Sequence, residues 1–498
     1  MLQRRPFAFL LAPAFACALA LGACGGSGDG PLDVAIVDSR ENLLASGVRL
    51  SSGGQQMRAA TFAGLVALDA QGEVVPALAD RWIVTDDARS YIFRLRDGTW
   101  PDGSPLTAAS VQASLQRAID RLEGTSLGLD LHQIQEVRAM AGRVIEIRLS
   151  GVQPAMLQML AQPELTLAYR DERTGPMALD DRNGAITLSL RPPSERGLPE
   201  EEDWAKFTRP LVIHPASAQE ATQMFDDGRI DVLLGGTLNA LPLVDAGPLS
   251  RGTVRLDPAI GLFGLQVRRA RGPLADEGVR EGIAMALNRT ALMAPFNVGG
   301  WTPTTRVVLP GLPDDPGLVA ERWEEADLEQ LRARASGRIA AWRAANDSGD
   351  AAALYPVTVA MEEGPGYDTL FAQLARQLRS IGIDLRRVEQ RKDADLVLVD
   401  QVARYASPAW FLNQFHCSLR RSLCNSEADE IAGRAAAEGD PAERARLLAE
   451  AEAALTLANV YIPFGSPLRW SLVRGNVEGY AANPWAFHPL PDLAQIPR

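Results

Sequence analysis

The chain has 498 residues, of which 46% are hydrophobic, and its formal net charge is −12. A chain of this length buries more than one hydrophobic core, so we expect several domains. The acidic balance argues against a nucleic-acid partner, because proteins that bind phosphate backbones present clustered Lys and Arg side chains.

The first 30 residues predict an export signal. The stretch "MLQRRPFAFLLAPAFACALALGACGG" has a basic start, an apolar run and small residues before Cys24. The apolar run is about 16 residues long, short of the roughly 20 that cross a bilayer. Its ending resembles a bacterial lipobox, which implies that residues 1–23 are a lipoprotein signal peptide and that Cys24 carries the lipid anchor. An ordinary secretory signal without lipid is the alternative.

Residues 24–31, "CGGSGDGP", are polar and rich in Gly, so we expect a flexible tether before the folded body. No later segment approaches 18 uninterrupted apolar residues, the length expected of a membrane-spanning helix. We therefore expect the body to lie on the periplasmic or extracellular face of a bacterial membrane.

A smaller α+β unit is predicted next, with strands at Tyr91–Leu95 and Val144–Leu149 and a helix at Ala108–Leu122. Between them, "RDGTWPDGSPLT" contains two Asp-Gly pairs, which supply the positive φ angles of tight turns. We expect Trp100 to be buried as the anchor of this corner and Thr107 to cap the helix. The local chemistry of this stretch indicates a structural role and not a ligand site.

Two later segments, some 150 residues apart, repeat an apolar strand, an amphipathic helix and further apolar strands. This alternation predicts two α/β lobes with parallel sheets covered on both faces. Ligands of such sheets bind beyond the carboxyl ends of the strands, which here lead into "GGTLNALPL" and "DQVARYASPAWFLNQF". If the lobes face each other, these two stretches flank one cleft. The predicted elements are strand Leu211–His214, a helix capped near Ser217, strand Ile230–Leu234, strand Val357–Met361, a helix with Leu370, Phe371, Leu374 and Leu378 on one face and stopped by Gly382, strand Ile383–Val388 and strand Leu396–Val399.

The segment "GLVALDAQGEVVPALADRWIVTDDARSYIFRLRDGTWPDGSPLTAASV" closely resembles the signature of the family 5 extracellular solute-binding proteins, which serve ATP-binding-cassette importers. "RTGPMAL", "DDGRIDV" and "GVREGIAMALNRTALM" extend the resemblance across most of the chain, with Asn288 where the family has an acid. The matching positions of the signature are Phe62, Gly64, Leu65, Pro76 to Ala79, Trp82 and Phe93 to Pro105.

The resemblance implies an α/β protein with a two-lobed periplasmic-binding-protein type II fold and an additional α+β domain inserted in the first lobe. It also implies a monomeric binding lipoprotein that captures a small solute, such as a peptide, and delivers it to the permease subunits of an importer. We expect no catalysis, no cofactor and no metal site. Lobe I is assigned residues 32–63, 165–255 and 470–498, the inserted subdomain residues 64–164, and lobe II residues 256–469.

Two other classes of function stay open at this point. An exported hydrolase is disfavoured, because the sequence lacks a P-loop and the Ser-x-x-Lys, Gly-x-Ser-x-Gly and His-Glu-x-x-His patterns, although a scattered catalytic triad leaves no such pattern. A lipoprotein that uses the same fold as a scaffold, sensor or chaperone without an importer is the other alternative.

The resemblance also implies where the ligand binds. In peptide-binding relatives, a Trp and an acid precede a Pro in the second lobe, and the acid receives the peptide ammonium. Matching Pro408 to that Pro places Arg404 where the acid is common and Gln401 where the Trp is common. A guanidinium there favours an anionic or zwitterionic ligand held by its acid group. The alternative is that Arg404 is a solvated loop residue.

Four more residues are ligand-contact candidates. Tyr405 and Trp410 are the aromatic side chains nearest to Arg404, and either could form an apolar wall or pack in a core. Phe464 and Ser466 lie in "YIPFGSPLRWSL", which resembles the family's strand that returns between the lobes. The sequence leaves the ligand open among a peptide, an opine, a sugar, a metal chelate and haem.

Cys417 and Cys424 stand eight residues apart inclusive in "HCSLRRSLC". Two thiols this close in an oxidising compartment predict a disulfide. The alternatives are two free thiols or a metal site shared with His416.

Overall fold

The computed structural model describes residues 30–170, 172–244, 252–313, 315–346 and 353–496. The predicted signal peptide and Cys24 lie outside the described residues. Within those ranges, none of the helices combines the length and the apolar character that crossing a membrane requires.

The first lobe is built on a mixed sheet of seven described strands. Strand Leu32–Val37 pairs in parallel with Leu211–Ala216 and Val232–Thr237, and the other neighbouring strands pair antiparallel. The predicted parallel pairing is therefore correct for the central three strands only. In spatial order the strands are Val254–Asp257, Arg469–Val473, Val232–Thr237, Leu32–Val37, Leu211–Ala216, Ile186–Leu190 and Met177–Asp180, and the helices of this lobe are Arg40–Leu43, Ser52–Thr61, Ala218–Asp226 and Leu490–Leu493.

The second lobe has a mixed sheet of five described strands, with parallel pairing around Tyr355–Ala360 and antiparallel pairing around Gly261–Val267. In spatial order the strands are Ile383–Val388, Tyr355–Ala360, Leu396–Val402, Gly261–Val267 and Tyr461–Gly465, and the helices are Glu277–Ala286, Arg289–Met293, Leu328–Asn346, Pro365–Arg379, Pro408–Asn413, Ser426–Ala437 and Pro441–Leu457.

The inserted unit has a fully antiparallel sheet of four described strands and a short hairpin. The sheet strands are Ala79–Val84, Ser90–Leu95, Val144–Leu149 and Ile134–Ala139, the hairpin strands are Val66–Leu68 and Val74–Pro76, and the helices are Ala108–Asp120, Ser126–Leu131 and Met156–Leu160.

Two short segments join the lobes. Residues 258–260 connect strand Val254–Asp257 of the first sheet to strand Gly261–Val267 of the second, and residues 466–468 lead back from the second sheet to the first. Two adjacent crossings of this kind form a hinge, about which lobes of binding proteins rotate.

The turns around Trp100 that contain the two Asp-Gly pairs are stabilised by local packing and a helix cap. Trp100 is buried, its indole N–H donates to Ser110 Oγ at 2.8 Å, and its ring stacks on Tyr169 with centroids 4.6 Å apart. Thr107 caps the helix, since its side chain accepts from the Ser110 backbone N–H at 3.2 Å. A cap of this kind contributes about 1 kcal/mol to helix stability. The predicted burial of Trp100 and the predicted cap at Thr107 are confirmed.

The second strand-helix-strand unit also forms as predicted. Leu370, Leu374 and Leu378 are buried along one face of helix Pro365–Arg379, whereas Phe371 is only half-buried. The helix ends before Gly382, whose φ of +93° favours glycine. The apolar spacing along this helix therefore fixes which face packs on the sheet.

The core of the inserted unit continues into lobe II. Aromatic and aliphatic side chains of the insert pack in one cluster with those of helices Pro408–Asn413, Ser426–Ala437 and Pro441–Leu457. Although the insert interrupts the first lobe in sequence, it therefore also packs against the second lobe.

Cys417 and Cys424 are joined by a disulfide in this structure, with their Cα atoms 5.2 Å apart. The bond closes a short loop between helices Pro408–Asn413 and Ser426–Ala437. His416 pairs with Ser418 Oγ at 2.8 Å, so it takes part in the local turn beside this loop.

Candidate ligand-binding cleft

A cavity of about 500 Å³ lies between the two lobes. Lobe I contributes the first turns of helix Ser52–Thr61 and the end of strand Val232–Thr237, and lobe II contributes residues 400–404 at the end of strand Leu396–Val402. Strand ends from both lobes thus meet at one cleft, as the strand-helix pattern predicts. The remainder of the predicted lobe I stretch, Leu238–Leu243, forms a helical turn that contacts lobe II near Tyr367.

An ion pair at the hinge holds one side of the cleft. Arg469 follows the returning hinge segment, and its guanidinium donates to Asp400 Oδ1 at 2.6 Å. Tyr367 donates its hydroxyl to Asp400 Oδ2 at 2.7 Å. Burial and the neighbouring Asp400 carboxylate raise the pKa of Tyr367, so the phenol stays a donor. The pair neutralises both charges and ties the first lobe's strand to the second lobe.

Arg404 lines the cleft and is paired with an acid of the inserted unit. Its Nη2 donates to Glu164 Oε1 at 2.6 Å, and its backbone carbonyl accepts from Gln162 Nε2 at 2.9 Å. Glu164 Oε2 has no hydrogen-bond partner among the described residues. Arg404 thus lies at the cleft with its charge balanced by Glu164, and its contact with a ligand stays a prediction.

The other predicted contact residues do not line the cleft, and this corrects the prediction. Tyr405 is 0% exposed and, like Trp410, lies in the core shared by the insert and lobe II. Phe464 is buried edge-to-face against Phe263, because both faces of the second sheet are covered. Ser466 lies in the hinge, where its carbonyl accepts from the indole N–H of Trp301 at 2.9 Å.

Arg404 and Tyr405 are neighbours in the chain but differ in their surroundings. Along Ala403–Ser407, which follows strand Leu396–Val402 and bends at residues 404–406, buried and half-buried residues alternate. The Arg404 side chain lines the cleft, whereas Tyr405 enters the core shared by the insert and lobe II.

The C-terminal stretch supplies cleft residues that the sequence reasoning missed. Trp485, Phe487 and His488 line the cavity, and the indole N–H of Trp485 donates to the Gly72 carbonyl at 3.0 Å. Trp470 adds a further aromatic side chain, anchored by its N–H to the Thr237 carbonyl at 2.8 Å. The only local signal was the aromatic density of "NPWAFHP", since the partners lie hundreds of residues away.

A second polar cluster lies on the lobe I side of the cavity. His488 Nε2 lies 3.3 Å from Asp257 Oδ2, and Asp257 Oδ1 accepts from the Asn483 backbone N–H at 3.1 Å. Gln56 and Ser471 line the same cavity and are also buried. In the part of the chain that the structure describes, no group of three or more His, Cys, Asp or Glu side chains is placed to hold a metal ion.

Two α/β lobes, a two-segment hinge and a cavity between the lobes define a hinged binding protein of the periplasmic type II class. The family model for bacterial extracellular solute-binding proteins, family 5, matches residues 73–420. The chain belongs to this family, which consists of binding proteins. The predicted family and fold class are confirmed.

Curated relatives and solved structures agree with this assignment. The chain is 22% identical to the dipeptide-binding protein DppE of Bacillus subtilis over 86% of this chain and 85% of that one. It is 24% identical to the periplasmic oligopeptide-binding protein OppA of Escherichia coli over 84% of each chain. The structure of OppA from Burkholderia pseudomallei superimposes with a TM-score of 0.78 at 19% identity, covering 94% of this chain and 99% of that one. The murein tripeptide binding protein MppA of Escherichia coli superimposes with a TM-score of 0.78 at 20% identity, with the same coverage.

Proposed function

We propose that this chain is an extracytoplasmic substrate-binding lipoprotein that captures a peptide or peptide-like solute between its lobes and delivers it to an ATP-binding-cassette importer. The observation that carries the proposal is the cavity at the hinge, with polar and charged groups on the walls of both lobes. Relatives that the chain matches over more than four fifths of its length are a dipeptide-binding and an oligopeptide-binding protein, which supports a peptide-like ligand.

Closure around a solute explains how such a cleft selects its ligand. A solute that contacts both lobes favours the closed arrangement in proportion to the contacts that it makes only there. The aromatic side chains of Trp485 and Phe487 offer apolar surface, and the ion pairs Arg404–Glu164 and Arg469–Asp400 balance the two arginine charges at the cleft. Glu362 adds a carboxylate to the wall of lobe II. Such a cleft suits a zwitterion better than a strongly charged ion.

Arg404 is the proposed contact for the acid group of the ligand. Its Nη2 is engaged by Glu164, and its remaining N–H groups can donate to a carboxylate. Removing Arg404 alone would leave Glu164 buried without its counter-ion, which would confound binding with stability. The test therefore uses a Glu164→Gln background.

In that background, we expect Arg404→Ala to weaken binding of unblocked tripeptides by about tenfold, or ~1.4 kcal/mol. Glu164→Gln alone should bind at least as tightly as the parent, because the guanidinium is freed. The measurements are melting-temperature shifts and isothermal titration calorimetry with unblocked and C-terminally amidated tripeptides.

Arg387→Ala is the matched control for this test. Arg387 lies in the same lobe and is exposed to the same degree, 21% against 22% for Arg404. It forms a pair of the same length with Asp368, 2.6 Å, away from the cleft. Equal losses of affinity in the Arg404 and Arg387 variants would contradict the role of Arg404. Full affinity of the parent for amidated peptides would contradict it as well. If the parent protein binds no peptide at all, the scaffold, sensor or chaperone function is favoured.

The lipid anchor is proposed from residues 1–24 alone, which lie outside the described residues. We expect metabolic labelling with a palmitate analogue to mark the parent protein, and Cys24→Ala to abolish labelling and release the protein from membranes, since the acyl chains supply the attachment. Cys417→Ala serves as the control, because Cys417 lies in the folded body and its sulfur is bonded to Cys424. Persistent labelling of Cys24→Ala would exclude the anchor.

A further inference from the structure

Two buried acceptors on the lobe I side of the cleft lack donors. Gln56 Oε1 and His488 Nδ1 have no hydrogen-bond partner among the described residues, although both side chains are nine-tenths or more buried. Both residues line the cavity between the lobes. Buried polar atoms almost always have a hydrogen-bond partner in folded proteins, so each buried atom without one requires an explanation.

The tautomer of His488 follows from its other nitrogen. Nε2 faces the buried carboxylate of Asp257 at 3.3 Å, so in the neutral imidazole Nε2 carries the hydrogen. Nδ1 then presents a lone pair and can only accept. Asp257 is held in turn by the backbone N–H of Asn483, and the ring of His488 stacks on Tyr480 with centroids 4.4 Å apart. The imidazole is therefore fixed in place before any ligand arrives.

We propose that His488 Nδ1 and Gln56 Oε1 form a subsite that binds a primary ammonium group of the ligand. Both atoms accept hydrogen bonds, and an ammonium supplies three donors. The carboxylate of Asp257 behind His488 adds negative potential, which favours an ammonium over a neutral hydroxyl. Ser471 also lines the cavity, and its hydroxyl approaches that of Tyr480.

This subsite rests on the proposed function and sets the orientation of the ligand in the cleft. The acid group of a zwitterion is bound at Arg404 on the lobe II side, and its amine on the lobe I side. A ligand with both groups contacts both walls, so it favours closure more than either group alone.

The test uses an equimolar mixture of unblocked tri- and tetrapeptides and the same mixture N-acetylated, titrated into the full folded protein. The parent should bind the acetylated mixture about tenfold more weakly, because acetylation removes the ammonium. His488→Gln keeps a donor toward Asp257 and replaces the fixed ring Nδ1 with an amide oxygen in a different position. Gln56→Leu removes the second acceptor. Each variant should bind the unblocked mixture about tenfold more weakly and discriminate less between the mixtures.

His214→Gln is the matched control, since His214 Nε2 also faces a carboxylate of lobe I, Asp33 at 2.7 Å, but lies outside the cleft. It should retain the parent affinities. Equal binding of both mixtures by the parent, or unchanged binding in both cleft variants, overturns the subsite and leaves the proposed function standing. Binding of neither mixture by the parent overturns the proposed function itself. If His488→Gln fails to fold, the subsite is tested by the affinity of Gln56→Leu and by the parent's affinities for the two peptide mixtures.

Discussion

Replacing Arg306 with Met is expected to lower the free energy of unfolding by about 3–5 kcal/mol. Arg306 lies in lobe II between two acids, and all three side chains are at most 4% exposed. Its guanidinium donates to both carboxylate oxygens of Glu452, at 3.0 and 2.9 Å, and to both of Asp315, at 3.1 Å. Met fills similar volume but leaves two buried carboxylates without a counter-ion.

The pH dependence of the Arg306→Met variant should differ from that of the parent. Burial already raises the pKa of Glu452, against the opposing effect of Arg306. Without the guanidinium, that pKa rises further, so the folded variant binds a proton that the unfolded chain does not. The deficit in stability should therefore shrink as the pH falls below neutrality, which urea denaturation at several pH values would measure.

Arg446→Met is the matched control for this effect. Arg446 also pairs with two acids, Glu443 at 2.7 Å and Glu450 at 3.1 Å, but its side chain is half exposed. Exposed pairs contribute little because water solvates the separated charges. The control should keep the parent's denaturation midpoint. A parent-like midpoint for Arg306→Met would show that the buried triad does not stabilise the fold.

Replacing Asp130 with Asn is expected to stabilise the protein above pH 7 and to leave it unchanged near pH 4. Asp130 lies in the last turn of helix Ser126–Leu131 of the inserted unit and is buried against lobe II, where Asn413 Nδ2 donates to its Oδ1 at 2.6 Å. The Tyr405 hydroxyl approaches the same carboxyl without the geometry of a full hydrogen bond. Burial raises the pKa of Asp130 to about 7, and both neighbours oppose the rise.

The sign of the effect follows from the raised pKa. Between pH 4 and 7 the folded state holds a proton on Asp130 that the unfolded chain has lost, so stability falls as the pH rises. The full loss, reached above pH 7, is at most about 4 kcal/mol, because one pKa unit corresponds to 1.36 kcal/mol. Asn mimics the protonated carboxyl and removes the loss.

The measurement is the denaturation midpoint of parent and variant from pH 4 to pH 8. Asp429, His132, His416 and Arg444 line the cavity beside Asp130, and burial raises the pKa of Asp429 as well. Asp429→Asn therefore serves as a comparison that separates its contribution. Parallel pH profiles for the parent and Asp130→Asn would contradict the assignment. Because Asp130 lies between the insert and lobe II, its protonation also favours the contact between them.

Local interactions account for what could be predicted along the chain. The caps at Thr107 and Ser217 and the positive φ of Gly382 involve residues within a few positions of each other, so the sequence determines them directly. The apolar spacing of Leu370, Leu374 and Leu378 determined a buried helix face for the same reason. The family signature placed these elements in a two-lobed fold.

The sequence by itself thus determined most of the helices and strands and the family, while the tertiary structure alone decided which side chains line the cleft. The pairs Arg404–Glu164 and Asp257–His488 join residues more than 200 positions apart, so no local pattern records them. Tyr405 and Phe464 are as aromatic as Trp485, yet they are buried by elements distant in sequence. Burial depends on what packs opposite a side chain, and that is set only when the lobes and the insert come together.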